Sequence, residues 1–139
     1  MRITPTALLF AMVPVVSLAQ QPFRRDQSAD INQTHLIVRV DLAPLFLVEV
    51  FGPPSEADRY KISGIYTFIS EKKDLIFTVY DWKSTNLFDE VQNAPSPKEF
   101  WASAKPAELS IGGKGKDATK FKTWLMQKYK HWQQHKGLL

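Results

Sequence analysis

The sequence predicts a single α+β domain built on a small antiparallel sheet, and three observations lead to this expectation. Two apolar segments, 61–70 and 75–82, are separated only by the polar stretch EKKD, which is the pattern of a β-hairpin. Residues 117–135 place apolar side chains at helical spacing and predict a C-terminal helix. The chain has 139 residues, of which 44% are apolar and 23% charged, which suits one domain with one modest core.

The N-terminus has the three parts of a secretory signal peptide. Arg2 supplies a positive charge, residues 7–16 are apolar, and Ser17 and Ala19 place small residues at the −3 and −1 positions of a cleavage site. The apolar run is shorter than the roughly 20 residues that span a bilayer. We therefore predict a signal peptide at 1–19 with cleavage after Ala19. An N-terminal extension that is not cleaved is the alternative.

A linker and then the folded domain are expected after the signal. Residues 20–34 are rich in Gln, Asp, Ser and Asn, which predicts a flexible linker. The domain would occupy 35–139. It would begin with a short strand at 35–40, because β-branched residues are concentrated near the centre of this segment.

A helix is predicted near 41–51. Asp41 is a good N-cap, Pro44 is tolerated in a first turn, and Gly52 provides a stop. Apolar positions cover most of the circumference of this segment. A buried strand would give a similar pattern, so the sequence leaves that alternative open.

The hairpin at 61–82 is the expected centre of the sheet. A two-residue turn at 72–73 would set the register by these opposed pairs: Phe68 with Phe77, Tyr66 with Val79, and Gly64 with Asp81. Both faces of the hairpin then carry apolar side chains. We therefore expect helices to cover at least one face.

Three further elements are predicted after a long loop. Ser96 and Pro97 are the N-cap and first position of a short helical turn, and residues 107–113 form a strand. The C-terminal helix is expected over 117–135, with Asp117 as its N-cap. The core-facing stripe of this helix contains Phe121, Trp124, Leu125 and Trp132.

The absence of cysteine removes disulfides, cysteine nucleophiles and zinc–thiolate sites. The chain has three histidines, two of which, His131 and His135, have the spacing of a metal-binding pair on a helix. No Glu stands in the HExxH position beside them, so a pair of surface histidines is the favoured interpretation. We predict no metal site and no cofactor.

Positive charge is concentrated at the C-terminal end. The segment 111–139 carries seven lysines and one acidic residue, whereas the rest of the chain is slightly acidic. Aromatic residues lie between these lysines, as in surfaces that bind nucleic acid. The helical stripe favours the simpler interpretation, in which the aromatic side chains are core and the lysine stems lie over them.

Two lysines follow a glycine turn in the segment IGGKGKDATK (111–120). Lys114 and Lys116 would add charge to an anion-binding junction between a strand and a helix. The phosphate-loop pattern is absent, and Asp117 would compete with a bound anion. A glycine turn followed by a capped helix is the favoured interpretation.

Asp81 is the best candidate for an acid or base, in the stretch FTVYDWKST (77–85). An ion pair with Lys83 or Lys61 is expected if its carboxylate is partly buried, and Trp82 would lie beside this group. Catalysis would need a second group, and nothing in the sequence places one nearby. We therefore favour a structural role, in which Asp81 accepts hydrogen bonds at the end of its strand.

Several short motifs together resemble a small, largely uncharacterised α+β domain of phage and bacterial proteins. The motifs are FGPPSEADRYKISGIYTF, IFTVYDWKST, FW at 100–101, LSIGG and FKTWL. The resemblance covers about residues 35–127 and implies the same order of elements, without any catalytic residue. This chain departs from the pattern at Arg59, where a glycine is expected. Its signal-like N-terminus departs too, because phage domains of this kind are intracellular.

The sequence favours a small secreted or periplasmic binding module, such as an inhibitor or immunity protein, whose partner is another protein. This expectation depends on what is missing from the sequence: a nucleophile motif, a set of metal ligands and a cofactor loop. A cytoplasmic protein that binds nucleic acid through the basic C-terminal helix is the alternative. A hydrolase that uses Asp81 ranks third.

Overall fold

Five strands and three helices make up the described part of the chain, which is residues 21–114 and 117–136 of a computed structural model. The strands are β1 (Phe23–Arg25), β2 (His35–Leu42), β3 (Ile65–Ser70), β4 (Ile76–Tyr80) and β5 (Ala107–Gly113). The helices are α1 (Pro44–Phe51), α2 (Pro97–Trp101) and α3 (Thr119–His135). The predictions for residues 1–19 and for Lys116 lie outside the described residues.

The strands form one antiparallel sheet in the order β1-β3-β4-β5-β2. This arrangement confirms the predicted α+β class and places β4, the second strand of the predicted hairpin, in the middle. The predicted register is also confirmed, because Phe68 pairs with Phe77 and Tyr66 pairs with Val79. In this register the side chains of Tyr66, Phe68, Phe77 and Val79 are all buried.

The hairpin strands are shorter than predicted. The strand predicted over 61–70 begins at Ile65, and the strand predicted over 75–82 ends at Tyr80. The reason is local competition for hydrogen bonds. The N–H groups of Ser63 and Gly64 donate to the side chain of Asp81 instead of to a neighbouring strand.

Aromatic side chains join α1 and α3 to one face of the sheet. The Phe121 ring of α3 stacks on Phe77 of β4, with ring centroids 4.8 Å apart, and lies 5.2 Å from Phe68 of β3. The Phe46 ring of α1 lies 5.2 Å from the Tyr129 ring of α3. Aromatic rings bury a large area per residue, so these contacts give a short chain a continuous core.

Residues 23–25 form an edge strand, so the prediction of a flexible linker at 20–34 is wrong for this part. Phe23 is buried, with its ring 5.3 Å from Phe121. The Arg25 guanidinium lies 4.4 Å from the centre of the Tyr66 ring and donates a hydrogen bond to the Phe51 carbonyl. A three-residue strand with one apolar side chain has too little periodicity to be found in the sequence.

The helix ends correct the predicted N-caps Asp41 and Asp117 and confirm Ser96. Asp41 is not an N-cap but pairs with Glu108 in the sheet, and α1 begins at Pro44. At the other end of the chain, α3 begins at Thr119, and Asp117 accepts a 2.9 Å hydrogen bond from the Thr119 N–H. Ser96 caps α2 as predicted, with a full capping box.

Candidate functional site: a loop surface anchored by Asp81

Asp81 lies directly after β4 and is completely buried, with 0% of its surface exposed. Its Oδ1 accepts hydrogen bonds from the N–H groups of Ser63 (2.8 Å) and Gly64 (3.0 Å). Its Oδ2 accepts a hydrogen bond from the Ser63 hydroxyl (2.9 Å). The same hydroxyl oxygen accepts a hydrogen bond from Trp101 Nε1 at 3.1 Å. Asp81 therefore joins the end of β4 to the loop before β3 and, through Ser63, to α2.

The predicted ion pair of Asp81 with a lysine is wrong. The salt bridges of the described residues are Arg39–Glu108 and Arg59–Glu56, and Asp81 takes part in neither. Burial raises the pKa of Asp81, while the hydrogen bonds from Gly64 and Ser63 act to lower it. The carboxylate is thus enclosed and occupied by three donors, which leaves no atom for a substrate to contact.

Two described residues could serve Asp81 as a second catalytic group, His35 and Glu49, and neither lies beside it. Of the two residues that could assist it, His35 pairs with Gly113 near the far end of the sheet. Glu49 lies on α1 and accepts a hydrogen bond from Trp132 Nε1 at 2.8 Å. The geometry therefore matches a structural anchor rather than an acid–base pair.

Close packing at Gly64 completes this anchor. A Cβ atom at this position would lie 2.8 Å from the Pro54 Cβ and 2.9 Å from Cζ2 of Trp101. Real Cβ atoms do not approach other carbons so closely, so only glycine lets the loop come this near to α2.

Six residues on the two loops beside Asp81 are linked by mutual contacts, with Phe88 buried among them, and we call this group the Trp82 surface. They are Tyr60, Lys61, Trp82, Lys83, Phe88 and Val91. The large side chains Tyr60, Trp82 and Val91 are 41%, 44% and 41% exposed. Isolated exposed apolar residues are ordinary on protein surfaces, but exposed aromatic residues grouped at one place are typical of binding sites.

Two lysines connect the aromatic side chains of the Trp82 surface. The Nζ atoms of Lys61 and Lys83 lie 5.8 Å and 5.5 Å from the Trp82 ring centre, which is cation–π distance. Lys83 Nζ also lies 4.9 Å from the ring centre of Phe88, and that ring lies 5.1 Å from Tyr60. The lysines that were predicted to pair with Asp81 therefore contact aromatic rings instead.

Backbone hydrogen bonds fix the loops that carry this surface. The Lys83 N–H donates to the Lys61 carbonyl at 2.7 Å, which joins the two loops directly. Oδ1 of Asp58 accepts hydrogen bonds from the N–H groups of Tyr60 and Ile62. Desolvation opposes ionisation of Asp58, but the N–H groups outweigh it and hold its pKa below the ordinary value.

Three non-glycine residues of these loops adopt the left-handed backbone conformation. Arg59, Lys83 and Asn93 have φ angles of 62°, 56° and 60°. This conformation costs a side-chain-bearing residue about 1 kcal/mol or more, and such residues are concentrated at functional sites. The strained residues Arg59 and Lys83 each adjoin an exposed aromatic side chain, Tyr60 and Trp82 respectively.

The structure brings together four of the six predicted site residues: Asp81, Trp82, Lys83 and Lys61. Lys114 lies apart from them, because the preceding Gly113 pairs with Phe77 near the start of β4. Asp81 lies four residue steps along the chain from Phe77, a distance of roughly 13 Å in a strand. Sequence reasoning missed Tyr60, Phe88 and Val91. An aromatic residue followed by lysine at 60–61 and again at 82–83 is the signal that could have found Tyr60.

The basic helix α3 presents lysines rather than aromatic faces. Trp124, Tyr129 and Trp132 are buried in the core and expose only small parts of their rings, too little for a base to stack on a full ring face. The rings of His131 and His135 lie 4.1 Å apart. In the segments that the structure describes, no three His, Asp or Glu side chains are grouped as metal ligands.

Comparisons with known proteins do not identify a family: no protein-family model matches the chain, and no curated protein matches it. The resemblance to the phage and bacterial domain therefore remains a prediction. Across residues 21–114 and 117–136, no helix is both long enough and apolar enough to span a membrane.

Proposed function

We propose that this protein is a small binding module without enzymatic activity, and that it binds another protein through the Trp82 surface. The observation that carries this proposal is the grouping of exposed Tyr60, Trp82 and Val91 on loops anchored by buried Asp81. Tryptophan and tyrosine contribute a large share of the binding energy at protein interfaces. An inhibitor-like or immunity-like role in the secreted or periplasmic compartment suits such a surface.

The rigidity of the loops supports binding over catalysis. A binding surface that is already ordered loses little conformational entropy when a partner arrives, which improves affinity. The Lys83–Lys61 backbone bond and the three hydrogen bonds to Asp81 provide that order. A hydrolase that uses Asp81 has no support, because its carboxylate is shielded from any substrate.

The charges of the Trp82 surface favour a partner with acidic side chains around an apolar centre. Lys61 and Lys83 both lie within 5.8 Å of the centre of the Trp82 ring. In protein interfaces, an apolar centre is commonly surrounded by charged residues that select the partner and increase the association rate. A partner with a concave apolar pocket and acidic residues at its rim fits this arrangement.

Affinity capture with matched variants tests the proposal. Wild-type protein, Trp82→Ala and Leu36→Ala would be immobilised and exposed to secreted proteins from the source organism. Leu36 is a suitable control, because it is 44% exposed, as Trp82 is, but lies on β2 at the other edge of the sheet. We expect one protein to be retained by wild type and Leu36→Ala and lost from Trp82→Ala.

The affinity of each variant for the purified partner then measures how much Trp82 contributes to binding. Removing a central tryptophan from an interface costs about 2 kcal/mol or more, so Trp82→Ala should weaken the affinity about thirtyfold. Equal retention by the Trp82→Ala and Leu36→Ala variants would overturn the assignment of the Trp82 surface.

Nucleic-acid binding by α3 is the second candidate, favoured by the exposed lysines Lys120, Lys130 and Lys136. Such binding would use phosphate contacts alone, since the neighbouring aromatic residues are buried. It predicts salt-sensitive binding to DNA or RNA that is weakened by the Lys122→Glu/Lys130→Glu double variant. Fluorescence anisotropy at low salt checks this, and the absence of binding there would exclude it.

A further inference from the structure

A groove of about 670 Å³ lies along α3, where that helix faces the end of α1 and residues 21–22. Apolar side chains of Trp124, Trp132 and Val50 line it, together with the basic side chains of Lys128, His131 and His135. The volume lies within the range of about 300–1,000 Å³ that is usual for small-molecule sites. The groove is separate from the Trp82 surface and shares no residue with it.

The walls of the groove suit a flat apolar molecule. The indole rings of Trp124 and Trp132 are mostly buried and offer their remaining surface to the groove, while Val50 on α1 is 43% exposed. Both indole N–H groups already have acceptors, Gln21 Oε1 and Glu49 Oε1 respectively. A ligand would therefore meet apolar ring surface at the walls and find its polar partners elsewhere.

Lys128 brings a positive charge to the groove. It lies one helical turn from each of the two tryptophans. Its Nζ is 5.4 Å from the centre of the Trp124 ring, and the side chain is half-buried. Burial lowers the pKa of Lys128, and neither salt bridge of the described residues includes it. A partly buried ammonium group without a carboxylate is costly, and an anionic ligand would offset that cost.

His131 and His135 line the same side of the groove. Nδ1 of His135 lies 2.8 Å from the His131 carbonyl oxygen, which can only accept. This contact places the proton on Nδ1, so Nε2 of the neutral ring is an acceptor, and the groove depends on Lys128 to hold an anion. Among the described residues, no Asp or Glu lines the groove, so this part of its lining is neutral or basic.

We propose that this groove binds a small amphipathic anion, which is a carboxylate attached to a flat apolar body. The apolar body would lie against Trp124 and Trp132, and the carboxylate would be held by Lys128. This inference goes beyond the proposed function, since the ligand is a small molecule and the site is on α3. The positive charge of Lys128 favours an anion, and the apolar walls favour a ligand with an apolar body.

Calorimetric titration of the full chain with 2-naphthoate, compared with the neutral 2-naphthalenemethanol, tests this site. We expect the carboxylate to bind about tenfold more tightly than the alcohol, because a charge-assisted contact with a partly buried lysine is worth about 1.4 kcal/mol or more. Lys128→Gln should remove most of that preference and leave binding of the alcohol unchanged. Lys130→Gln, on the exposed side of the same helix, is the matched control.

Three results would overturn the proposal. They are no binding of 2-naphthoate, equal binding of the carboxylate and the alcohol, and equal weakening by Lys128→Gln and Lys130→Gln. Lys128→Met, which keeps an unbranched side chain over Trp124, repeats the test if the glutamine variant unfolds. Thermal unfolding of each variant shows that it is folded at the titration temperature.

Discussion

Asp81 is the residue on which the geometry of the Trp82 surface depends, because it holds both loops to the sheet. The Asp81→Ala variant would leave two backbone N–H groups and one hydroxyl without their acceptor. We expect a loss of about 3 kcal/mol in the free energy of unfolding, as is usual when buried donors lose a charged partner. Urea unfolding followed by tryptophan fluorescence measures this.

Asp81→Asn is the matched control for this loss. The amide keeps one oxygen for the N–H groups of Ser63 and Gly64, so it should cost clearly less than alanine. Equal losses for the two variants, or a loss below about 0.5 kcal/mol for Asp81→Ala, would contradict the role of Asp81 as an anchor.

The raised pKa of Asp81 gives its contribution to stability a definite pH dependence. The folded protein holds the Asp81 proton more tightly than the unfolded chain, in which the pKa is near the ordinary value of 3.8. Asp81 therefore stabilises the fold most below pH 3.8, and this contribution is lost as the pH rises through the raised pKa. Asparagine does not titrate. The free energy of unfolding of wild type minus that of Asp81→Asn therefore isolates the pH dependence that Asp81 contributes.

We accordingly expect the stability of wild type relative to Asp81→Asn to fall as the pH increases from about 3.8. Urea unfolding of both proteins at a series of pH values measures the difference. A difference that grows with pH over the same range would mean that the hydrogen bonds outweigh burial and that the pKa is lowered.

At the scale of elements, the parts found from the sequence are those whose signal is local. The 61–82 hairpin was found because two apolar segments adjoin a short polar turn, and a two-residue turn at 72–73 sets the observed register. Helix α2 was found because Ser96 and Pro97 are a typical N-cap and first helical residue, and the structure adds Glu99 as the other half of a capping box.

The errors arose where distant segments override a local preference. Asp41 has the chemistry of an N-cap, but pairing of β2 with β5 keeps it in a strand, opposite Glu108. Phe23 and Arg25 lie in a polar segment, and β1 forms because β3 offers an edge and Phe121 offers a contact. No short window of sequence contains either partner, so local patterns could not predict these elements.

The capping box of α2 makes a prediction at this scale. Ser96→Ala removes the side chain that accepts the Glu99 N–H at 3.1 Å and should cost about 1 kcal/mol of stability. Glu99→Gln keeps an oxygen for the Ser96 N–H and should cost less. Thermal unfolding measures both, and no change for Ser96→Ala would mean that core contacts alone hold α2.

For the whole molecule, the part of the site that could be predicted from the sequence is the segment after β4 together with Lys61. Trp82 and Lys83 follow the most regular strand, and Lys61 was found from the hairpin register. Tyr60 and Phe88 are 28 residues apart and meet only because two irregular loops are held together. Such loops have no periodicity, so their convergence depends on anchors such as Asp81 that only a structure reveals.

Secretion of the protein is a prediction from residues 1–19 of the sequence. If residues 1–19 are a signal peptide, the protein expressed in its source organism should begin at Gln20, and mass spectrometry of the intact protein measures this. Ala19→Arg, which replaces the small residue at the −1 position, should block cleavage. A wild-type protein that keeps residues 1–19 in the cytoplasm would contradict a secreted role and favour the nucleic-acid alternative.

The central claim is that the Trp82 surface, positioned by Asp81, is where a partner protein binds. Hydrogen exchange of the protein, alone and with the captured partner, tests this most directly, because backbone amides exchange more slowly beneath an interface. We expect slower exchange in residues 58–64 and 81–91 and little change in α3. Slowing that is confined to α3, with the two loops unchanged, would contradict the claim.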